Sequence, residues 1–280
     1  MNVLVIAPYE VKYLKTIEAL EKLKYGKISI IGDYNIIDDL VKKNRIKIKT
    51  NVINISLEED ILLYTREYAK EYIKDSTNNI ILFGNISEVF IRKILNVEYR
   101  NEFNDYYVVD MPNLRHFVFL SNSTHRHFEI EEKKKSIVSL HKFMSTLGIR
   151  KANVCLITNN SSKSDTLEFN LMRMVLSDEL RKNINILKPS RLNDIFSMSN
   201  EFNIYDSMIN MLVFKNRDMT KTFVDTLSTL SNYRVGNICE MNNQLFVNGA
   251  NIKDEENIMF SLLLINKSIK SKKHIVKYAV

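Results

Sequence analysis

The chain has 280 residues, 45% hydrophobic and 26% charged, which is typical of a globular protein with room for two modest domains. Lys and Arg total 40 against 33 Asp and Glu, but these basic residues are spread along the chain and form no stripe suited to nucleic acid. No apolar run reaches the ~18 residues of a membrane span, and the N-terminus lacks the basic lead of a signal peptide. We therefore expect a cytoplasmic protein that is not embedded in a membrane.

Both cysteines, Cys155 and Cys239, lie in apolar runs. Because unpaired cysteine is among the most buried residue types, we expect buried free thiols in a reducing compartment. The spacing of Cys and His does not indicate a zinc or iron–sulfur site. The sequence therefore predicts neither a metal site nor a tightly bound cofactor.

The first half of the chain alternates between apolar runs and amphipathic segments. Strands are predicted at residues 3–7, 28–31, 52–55 and 79–84. Helices are predicted after them, at residues 10–23, around 40–41, at 56–74 and at 87–95. Ser56-Leu57-Glu58-Glu59 is a capping-box pattern that would start the third helix. Residues 106–111 and 116–120 are predicted to form an antiparallel hairpin through the turn signal Pro112-Asn113.

The second half continues the same alternation after a polar segment and a charged helix that ends at Gly148. Strands are predicted at residues 152–158, 183–187, 211–214, 236–240 and 244–247. Helices are predicted at 164–182, 218–230 and 254–269, with an irregular or helical excursion at 189–203. Apolar strands joined by crossover helices predict a doubly wound α/β fold.

The polar segment at residues 121–127 is the strongest candidate for a ligand site. It follows an apolar strand, and open α/β sheets bind ligands at the carboxyl ends of their strands. Its hydroxyl, amide, guanidinium and imidazole groups suit a polar or anionic ligand. The predicted anion-binding residues are Ser121, Ser123, Thr124, His125, Arg126 and His127. The alternative is an exposed loop without function, and the nearby run Lys133-Lys134-Lys135 is expected to be a solvated helix face.

Three segments occur in an order that resembles one known family. Residues 80–87, Ile-Ile-Leu-Phe-Gly-Asn-Ile-Ser, form a strand-glycine-helix unit. Residues 119–123, followed by the helix start at 129–133, resemble a Leu-Thr-Asp-Ala-Ala loop that leads into an Asp-Leu-Glu-Glu-Lys helix. Residues 238–264 resemble a closing strand, loop and final helix. From about residue 62 onward, this order and spacing resemble the phosphate acetyl/butyryl transferase family.

The resemblance implies a two-lobed α/β fold with doubly wound, mostly parallel sheets, like that of isocitrate and isopropylmalate dehydrogenases. The first lobe would comprise residues 1–128 plus 247–280, and the inserted second lobe residues 129–246, with the active site in the cleft between them. The implied reaction transfers an acetyl or butyryl group between coenzyme A and inorganic phosphate. Coenzyme A or acyl-CoA and phosphate would be the substrates of a cytoplasmic homodimer.

The resemblance also implies roles for individual residues. Asp194 aligns with a Leu-Ala-Leu-Asp segment and would be the base for the coenzyme A thiol, although a helix-capping or surface aspartate is the alternative. Asn122 occupies the catalytic aspartate position of the loop. Gly84, Ser87 and Gly249 would contribute to substrate or anion binding, but Ser87 also suits a simple helix N-terminus.

Several positions depart from the family pattern. Phe83 replaces Lys, Asn122 replaces Asp, and Gly249-Ala250 replaces a Ser-Arg pair, which removes a bidentate phosphate ligand. The sequence therefore favours an acyltransferase with an altered site. The alternative is a catalytically inactive relative that binds a CoA-like ligand or a protein partner. A nucleic-acid-binding protein, suggested by the pI of about 9.1, ranks third.

Overall fold

The structure is a computed structural model that describes residues 2–55, 58–74, 78–95, 103–111, 116–123, 130–158, 163–175, 183–193, 195, 209–231, 233–241 and 244–277. The chain divides into two units. Unit 1 comprises Met1–Phe103 and Gly236–Val280, and unit 2 comprises Asn104–Val235. Unit 2 is therefore inserted into the sequence of unit 1.

Strands and helices alternate over most of the described residues. The strands are β1 (Asn2–Ile6), β2 (Ile28–Gly32), β3 (Val52–Asn54), β4 (Asn79–Phe83), β5 (Phe103–Met111), β6 (His116–Ser123), β7 (Ala152–Ile157), β8 (Ile184–Ser190), β9 (Met211–Val213), β10 (Arg234–Met241) and β11 (Gln244–Asn248). The helices are α1 (Val11–Lys22), α2 (Tyr34–Asn44), α3 (Glu58–Lys74), α4 (Glu88–Ile94), α5 (Ile130–Thr146), α6 (Lys163–Val175), α7 (Arg217–Leu230) and α8 (Glu255–Lys277). A short 3₁₀ turn, Gly249–Asn251, follows β11.

The unit 1 strands lie in the order β3-β2-β1-β4-β11-β10. Neighbouring strands from β3 to β11 run parallel, whereas β10 is antiparallel to β11. The chain passes from β1 through α1 to β2 on one side, and β4 lies on the other side of β1. The strand order thus reverses between β1 and β4, and ligand crevices in open α/β sheets form at such reversals.

The unit 1 core explains why its central strands are continuous apolar runs. All five residues of β4 are buried, as are four of the five in β1, which is typical of parallel strands covered on both faces. Helix α1 buries Leu14, Ile17 and Leu20 along one face. Phe83 and Phe246 meet edge to face in this core, with ring centroids 5.4 Å apart.

The unit 2 strands lie in the order β5-β6-β9-β7-β8. Strands β5 and β6 form an antiparallel hairpin, and the pairs from β6 through β9 and β7 to β8 are parallel. Helix α6 leads from β7 and packs against β8, whereas α7 follows β9 and packs against β6. The connections that leave β7 and β9 therefore diverge, and this unit also has a reversal point between two neighbouring parallel strands.

Strand β8 contains an irregularity close to that reversal. Cys155 pairs with Leu187 and Ile157 pairs with Ser190, so β8 carries one extra residue over this interval. Pro189 lies within it. Proline cannot donate to the ladder and is tolerated at bulges, which are common beside functional sites.

The predicted α/β class is confirmed, as is the antiparallel hairpin. Both cysteines are buried and free, as expected. The predicted carboxyl ends of two strands were wrong. Strand β6 extends to Ser123 because Ser121, Asn122 and Ser123 pair with β5, so these residues are not in a loop. Strand β8 continues through the bulge to Ser190, beyond the predicted end at residue 187.

The unit boundaries fall earlier in the chain than the lobe boundaries implied by the resemblance. The units change after Phe103 and Val235, whereas we expected changes after residues 128 and 246. The hairpin β5–β6 accounts for the first difference. Because β6 pairs with β9, the hairpin belongs to the sheet of unit 2.

Candidate functional site

The carboxyl ends of β9 and β7 border a small pocket in unit 2. It encloses about 230 Å³ of empty space, including space open to solvent. Its lining comes from three parallel strands and two helices: Lys133, Leu156, Ile157, Thr158, Glu168, Pro189, Val213, Phe214 and Lys215. The pocket therefore lies where the strand order of unit 2 reverses, at the edge where α/β sheets bind ligands.

Backbone pairing keeps this part of the sheet edge open. Leu156 is in register with Val213, which aligns the ends of β7 and β9. Beyond it, the Thr158 N–H donates to the Ser190 carbonyl, 3.2 Å away on the β8 side. Strand β7 thus follows β8 instead of β9 at its end, and Thr158, Phe214 and Lys215 can line the space beside them.

The pocket wall contains an ion pair between two helices. The Nζ of Lys133 in the first turn of α5 contacts the Oε1 of Glu168 on α6. The side chain of Lys133 is 6% exposed and that of Glu168 is 24% exposed. Because a buried ammonium is costly without a partner, Glu168 neutralises a charge that would otherwise destabilise the fold.

The burial of Lys133 contradicts our prediction that residues 133–135 are a solvated face. Lys135 is exposed and Lys134 half-buried, but Lys133 is buried. Helical spacing would have identified it, because Lys133 lies four and seven residues before the buried Ile137 and Leu140. Lys215, which is exposed at the end of β9, was also not among our predicted site residues.

The predicted anion-binding residue Ser121 lies in β6, where it pairs with Tyr106. It is fully buried, and its hydroxyl contacts the Ser136 hydroxyl on α5. This contact joins the sheet to the helix that carries Lys133. Asn122 and Ser123 pair with Asp105 and Asn104, so the backbone of the segment begins as a strand next to β9.

The predicted residues of unit 1 lie at its own carboxyl edge. Strands β4 and β11 are neighbours, with Asn248 opposite Phe83, so Gly84 and Gly249 follow adjacent strand ends. A methyl group at Gly84 would overlap the Ala7 carbonyl oxygen and lie 2.9 Å from the Ile6 oxygen. A methyl group at Gly249 would overlap the Tyr13 ring. Both glycines are therefore required by close packing within the protein.

The backbone N–H groups at this edge have internal acceptors. The Gly84 N–H donates to the Ile6 carbonyl at 2.8 Å, and the Ala250 N–H donates to Asn248 Oδ1 at 3.3 Å. The Ser87 hydroxyl accepts from the Phe90 N–H at 3.4 Å and caps α4. These observations support structural roles, and the anion-binding roles of Gly84, Ser87 and Gly249 stay predictions.

The remaining predicted residues lie outside the described residues: Asp194, Thr124, His125, Arg126 and His127. Their predicted roles therefore stay predictions as well. In the part of the chain that is described, no group of three or more His, Cys, Asp or Glu side chains is arranged to hold a metal ion. Across the same residues, no helix is long and apolar enough to cross a membrane.

Cys155 lies on β7, next in sequence to Leu156, which lines the pocket. Its side chain is fully buried in the unit 2 core, and its Sγ is 3.7 Å from the Lys188 carbonyl oxygen. Burial raises the pKa of the Cys155 thiol, which lowers the thiolate fraction at neutral pH. This environment indicates a packing role.

The sequence matches no protein-family model, and no curated protein was found to be similar to it. The fold, however, is similar to those of solved structures. A branched-chain phosphotransacylase from Enterococcus faecalis V583 is 12% identical, with a TM-score of 0.72 over 96% of this chain and 100% of that chain. The EutD phosphotransacetylase from Staphylococcus aureus is 11% identical, with a TM-score of 0.62 over 96% and 94% of the two chains.

The same fold also occurs in a dehydrogenase. The 4-hydroxythreonine-4-phosphate dehydrogenase from Klebsiella pneumoniae is 11% identical, with a TM-score of 0.56 over 98% of this chain and 99% of that chain. The predicted fold class is confirmed by these similarities, and the resemblance to phosphate acyltransferases is confirmed at the level of structure. At such low identity, similarity establishes the fold and leaves the reaction to be argued from the site.

Proposed function

We propose that this protein is a divergent phosphate acyltransferase that transfers a short acyl group, acetyl or butyryl, between coenzyme A and inorganic phosphate. The observation that carries the proposal is the phosphotransacylase-like fold over nearly the whole chain, together with the matching order of sequence segments. The pocket at the carboxyl edge of unit 2 supports it, because the polar segment that starts at Ser121 begins within β6, the strand adjacent to β9.

In the proposed reaction, the thiolate of coenzyme A attacks the carbonyl carbon of an acyl phosphate. A C–S bond forms, the C–O bond to phosphate breaks, and inorganic phosphate leaves with the electron pair. The thiol proton must go to a base, for which we propose Asp194, and the developing oxyanion needs hydrogen-bond donors. Asn122 has a donor amide for that second role. Lysines such as Lys215 would stabilise the phosphate charge.

The direct test follows the thiol released from acetyl-CoA or butyryl-CoA on addition of inorganic phosphate. In this direction the residue that accepts the thiol proton in thiolysis must return it to the leaving thiolate, so we expect phosphate-dependent release that is lost in Asp194→Asn, because the amide cannot carry that proton. We expect Asn122→Asp, which restores the carboxylate of the family pattern, to retain or raise the rate. Lys151→Ala is the matched control, since Lys151 is exposed before the amino end of β7. Rates equal to buffer with both acyl chains would eliminate the enzymatic proposal.

The second candidate is a catalytically inactive relative that binds a CoA-like ligand or a protein partner. It is favoured by the packed edge of unit 1, where Phe83 is buried in the core and the Gly84 N–H is donated to Ile6. Titration calorimetry with coenzyme A would discriminate between the two candidates when turnover is absent. Saturable heat would favour ligand binding without catalysis, and no heat would favour a protein partner.

The proposal also includes assembly and location. We propose a cytoplasmic homodimer in which coenzyme A and phosphate are substrates and no cofactor is tightly bound. Light scattering coupled to size-exclusion chromatography tests the assembly directly. A mass equal to the chain's 32.8 kDa at micromolar concentration would exclude a stable dimer.

A further inference from the structure

We propose that unit 1 binds the phosphate backbone of a single-stranded nucleic acid, without regard to base sequence, at the amino edge of its sheet. The basic surface for this role is formed by Lys27, Arg45, Lys47 and Lys49, which are all exposed. The inference goes beyond the proposed function, because the predicted substrate residues of unit 1 lie at the opposite, carboxyl edge of the same sheet.

The segment between α2 and β3 is the most basic stretch of the chain. Residues 42–49, Lys-Lys-Asn-Arg-Ile-Lys-Ile-Lys, include five basic residues and no acidic one, and no other run of eight residues contains five. All five are exposed. This segment is an exception to our interpretation that the basic residues are spread along the chain, and such a concentration of one charge attracts anionic polymers.

The structure of α2 accounts for only two of these five cations. Lys42 and Lys43 lie in the last turn of the helix, where cations complement the macrodipole, and Lys42 forms an ion pair within the helix at 2.5 Å. Arg45, Lys47 and Lys49 follow the helix, and none of them forms an ion pair with any residue that the structure describes. Their charges therefore remain available to a partner.

Carboxylates of α1 hold the backbone of this segment in place. Glu18 Oε1 accepts from the Lys47 N–H at 3.2 Å, and Glu21 Oε2 accepts from the Lys49 N–H at 2.9 Å. Glu21 Oε1 also accepts from the Thr50 N–H at 2.8 Å. Because the main chain supplies these donors, the segment is fixed on α1 without using its lysine side chains.

The surface stays positive despite these two carboxylates. Glu18 is also paired with Lys22 at 3.1 Å, so its charge is already offset. Glu21 offsets one of the four cations of the basic surface. Lys43, exposed two residues before Arg45, restores that charge.

Alternating burial directs the cations outward in a row. Ile46 is buried and Ile48 is half-buried, whereas Arg45, Lys47 and Lys49 are exposed. This alternation is that of an extended segment, in which residues two apart lie on the same side, about 7 Å from each other. Such a spacing lets neighbouring cations contact successive phosphates of one nucleic-acid strand.

The register of β2 and β3 adds Lys27 to this row. Ile30 is opposite Val52 in the parallel pair. Lys27 and Lys49 each precede that pair by three residues, so they lie at the same edge of neighbouring strands. The surface therefore combines two segments that are separate in sequence.

The apolar residues of the segment favour nucleic acid over a lipid surface. Membrane-surface sites combine basic residues with apolar side chains that insert among the lipids. Ile46 and Ile48 are instead turned toward the protein. None of the four cationic residues of the surface can stack on a base as an aromatic side chain does, so we expect recognition of phosphates without a preference for base sequence.

Fluorescence anisotropy with a labelled single-stranded RNA about 20 nucleotides long tests the proposal on the full chain. We expect saturable binding with a Kd of about 1–100 μM at physiological salt, the range of sequence-independent contacts. Four phosphate contacts predict a slope of about −2.8 for log affinity against log salt, so binding should weaken about 50-fold from about 50 to 200 mM salt.

The double variant Lys47→Gln/Lys49→Gln removes two of the four cations and leaves the backbone hydrogen bonds of the segment intact. We expect the slope to fall to about −1.4 and the affinity at about 0.1 M salt to fall about 25-fold. Lys151→Gln/Lys188→Gln is the matched control, because it removes the same charge from exposed positions of unit 2. The control should keep the slope of wild type, and circular dichroism verifies the fold of both variants.

Two further titrations identify the class of ligand. Single-stranded DNA of the same sequence should bind as the RNA does, because contacts to phosphates do not involve the 2′-hydroxyl. Vesicles that contain phosphatidylserine should bind weakly or not at all. A marked preference for RNA over DNA would overturn recognition through phosphates alone.

The proposal is overturned if the RNA does not bind saturably, if the double variant and its control act equally, or if only the vesicles bind. Acyl transfer by Lys47→Gln/Lys49→Gln is expected to equal that of wild type, because the surface lies away from the carboxyl edge of the sheet. Loss of RNA binding and loss of acyl transfer are therefore separate results.

Discussion

Both units reverse their strand order between two parallel strands, but the two reversal points are built differently. In unit 1 the ends of β1 and β4 are joined by backbone hydrogen bonds from Gly84 to Ile6 and from Asn85 to Ala7, at 2.8 and 3.0 Å. In unit 2 the ends of β7 and β9 border a pocket with Lys215 at its side. The same topology can therefore produce a closed edge or an open one.

Local sequence causes the difference. Gly84 has no side chain, so β4 approaches the Ala7 carbonyl closely, and Ala7 turns the chain with a φ of +51°. The Glu10 carboxylate then accepts from the Asn85 amide at 2.6 Å across the two loops. In unit 2 the residues that follow β7 and β9, Thr158, Phe214 and Lys215, all carry side chains, and these line a pocket. Of the two reversal points, the one in unit 2 therefore borders a pocket.

The largest expected effect tests whether close packing closes the unit 1 edge. In Gly84→Ala the added methyl group overlaps the Ala7 carbonyl, and backbone cannot move aside as a flexible side chain can. We expect a loss of about 3 kcal/mol or more in the free energy of unfolding. Chemical denaturation of the variant and of wild type measures it.

Gly236→Ala is the matched control for this change. Its nearest contact is the Leu264 Cδ1 atom at 3.1 Å, the end of a side chain that can rotate. We expect this variant to lose about 1 kcal/mol, near the lower limit for overpacking. Equal losses in the two variants would mean that the unit 1 edge is not specially constrained.

The next effect concerns the charged wall of the unit 2 pocket. Glu168→Gln leaves the buried Lys133 ammonium without its carboxylate, and we expect a loss of about 2 kcal/mol, below the full penalty for a buried pair because Glu168 is partly exposed. Glu131→Gln removes a comparable partner from Lys134 on the same helix. The Glu131 side chain is 62% exposed, so its loss should cost less than about 0.5 kcal/mol.

Thermal unfolding of these two variants sharpens the comparison between the units. A large loss of stability in Glu168→Gln alone would confirm that a desolvated ion pair stabilises the pocket wall. The edge of unit 1, in contrast, is closed by backbone hydrogen bonds. Losses that are small in both variants would mean that water screens the Lys133–Glu168 pair as it does a surface pair.

The alternation of strands and helices could be predicted because each element repeats one physical pattern. Buried parallel strands such as β4 are continuous apolar runs, and α1 has one apolar face. The extent of β6 could not be predicted. Ser121–Ser123 have the composition of a loop, but their backbone pairing with β5 makes them a strand. Pairing depends on residues distant in sequence, which local composition does not encode.

Among the described residues, none of the predicted site residues lines the pocket of unit 2. Lys133 lies on α5 and Lys215 follows β9, so these two lining residues are far apart in sequence. The parallel pairing of β9 with both β6 and β7 brings their elements to the same edge of the sheet. The burial of Ser121 against Ser136 depends on how α5 packs on the sheet. A site whose residues come from distant segments of the chain is therefore harder to predict from sequence than a site contained in one motif.

A smaller loss of stability is expected from Ser87→Ala, which tests the role of Ser87 at the unit 1 edge. In Ser87→Ala the Phe90 N–H loses its acceptor, and we expect a loss of about 0.5–1 kcal/mol. Asp33→Ala, which removes a cap that accepts from both Asn35 and Ile36, should cost more. Coenzyme A or phosphate affinity that fell with Ser87→Ala would contradict a purely capping role.

The smallest expected effect comes from Tyr13→Phe, which tests whether water is excluded from the closed edge of unit 1. The Tyr13 hydroxyl is buried beside Gly249 and has no hydrogen-bond partner within the described part of the chain. An unsatisfied buried hydroxyl is costly, so Tyr13→Phe should leave stability unchanged or raise it by up to about 1 kcal/mol. A loss of similar size would mean that the hydroxyl binds water or a ligand, and that this edge is less closed than its backbone contacts indicate.

The pH dependence of the stability of Tyr13→Phe gives a second measure of how far the Tyr13 hydroxyl is shielded from water. Burial raises the pKa of Tyr13 above its ordinary value, with a further increase from Glu10. Above pH ~10 the unfolded chain loses the Tyr13 proton while the folded chain retains it, so stability falls by up to about 1.4 kcal/mol per pH unit. Tyr13→Phe cannot ionise, and the difference in stability between variant and wild type should grow as pH rises above 10. A constant difference would place the Tyr13 hydroxyl in a solvated environment.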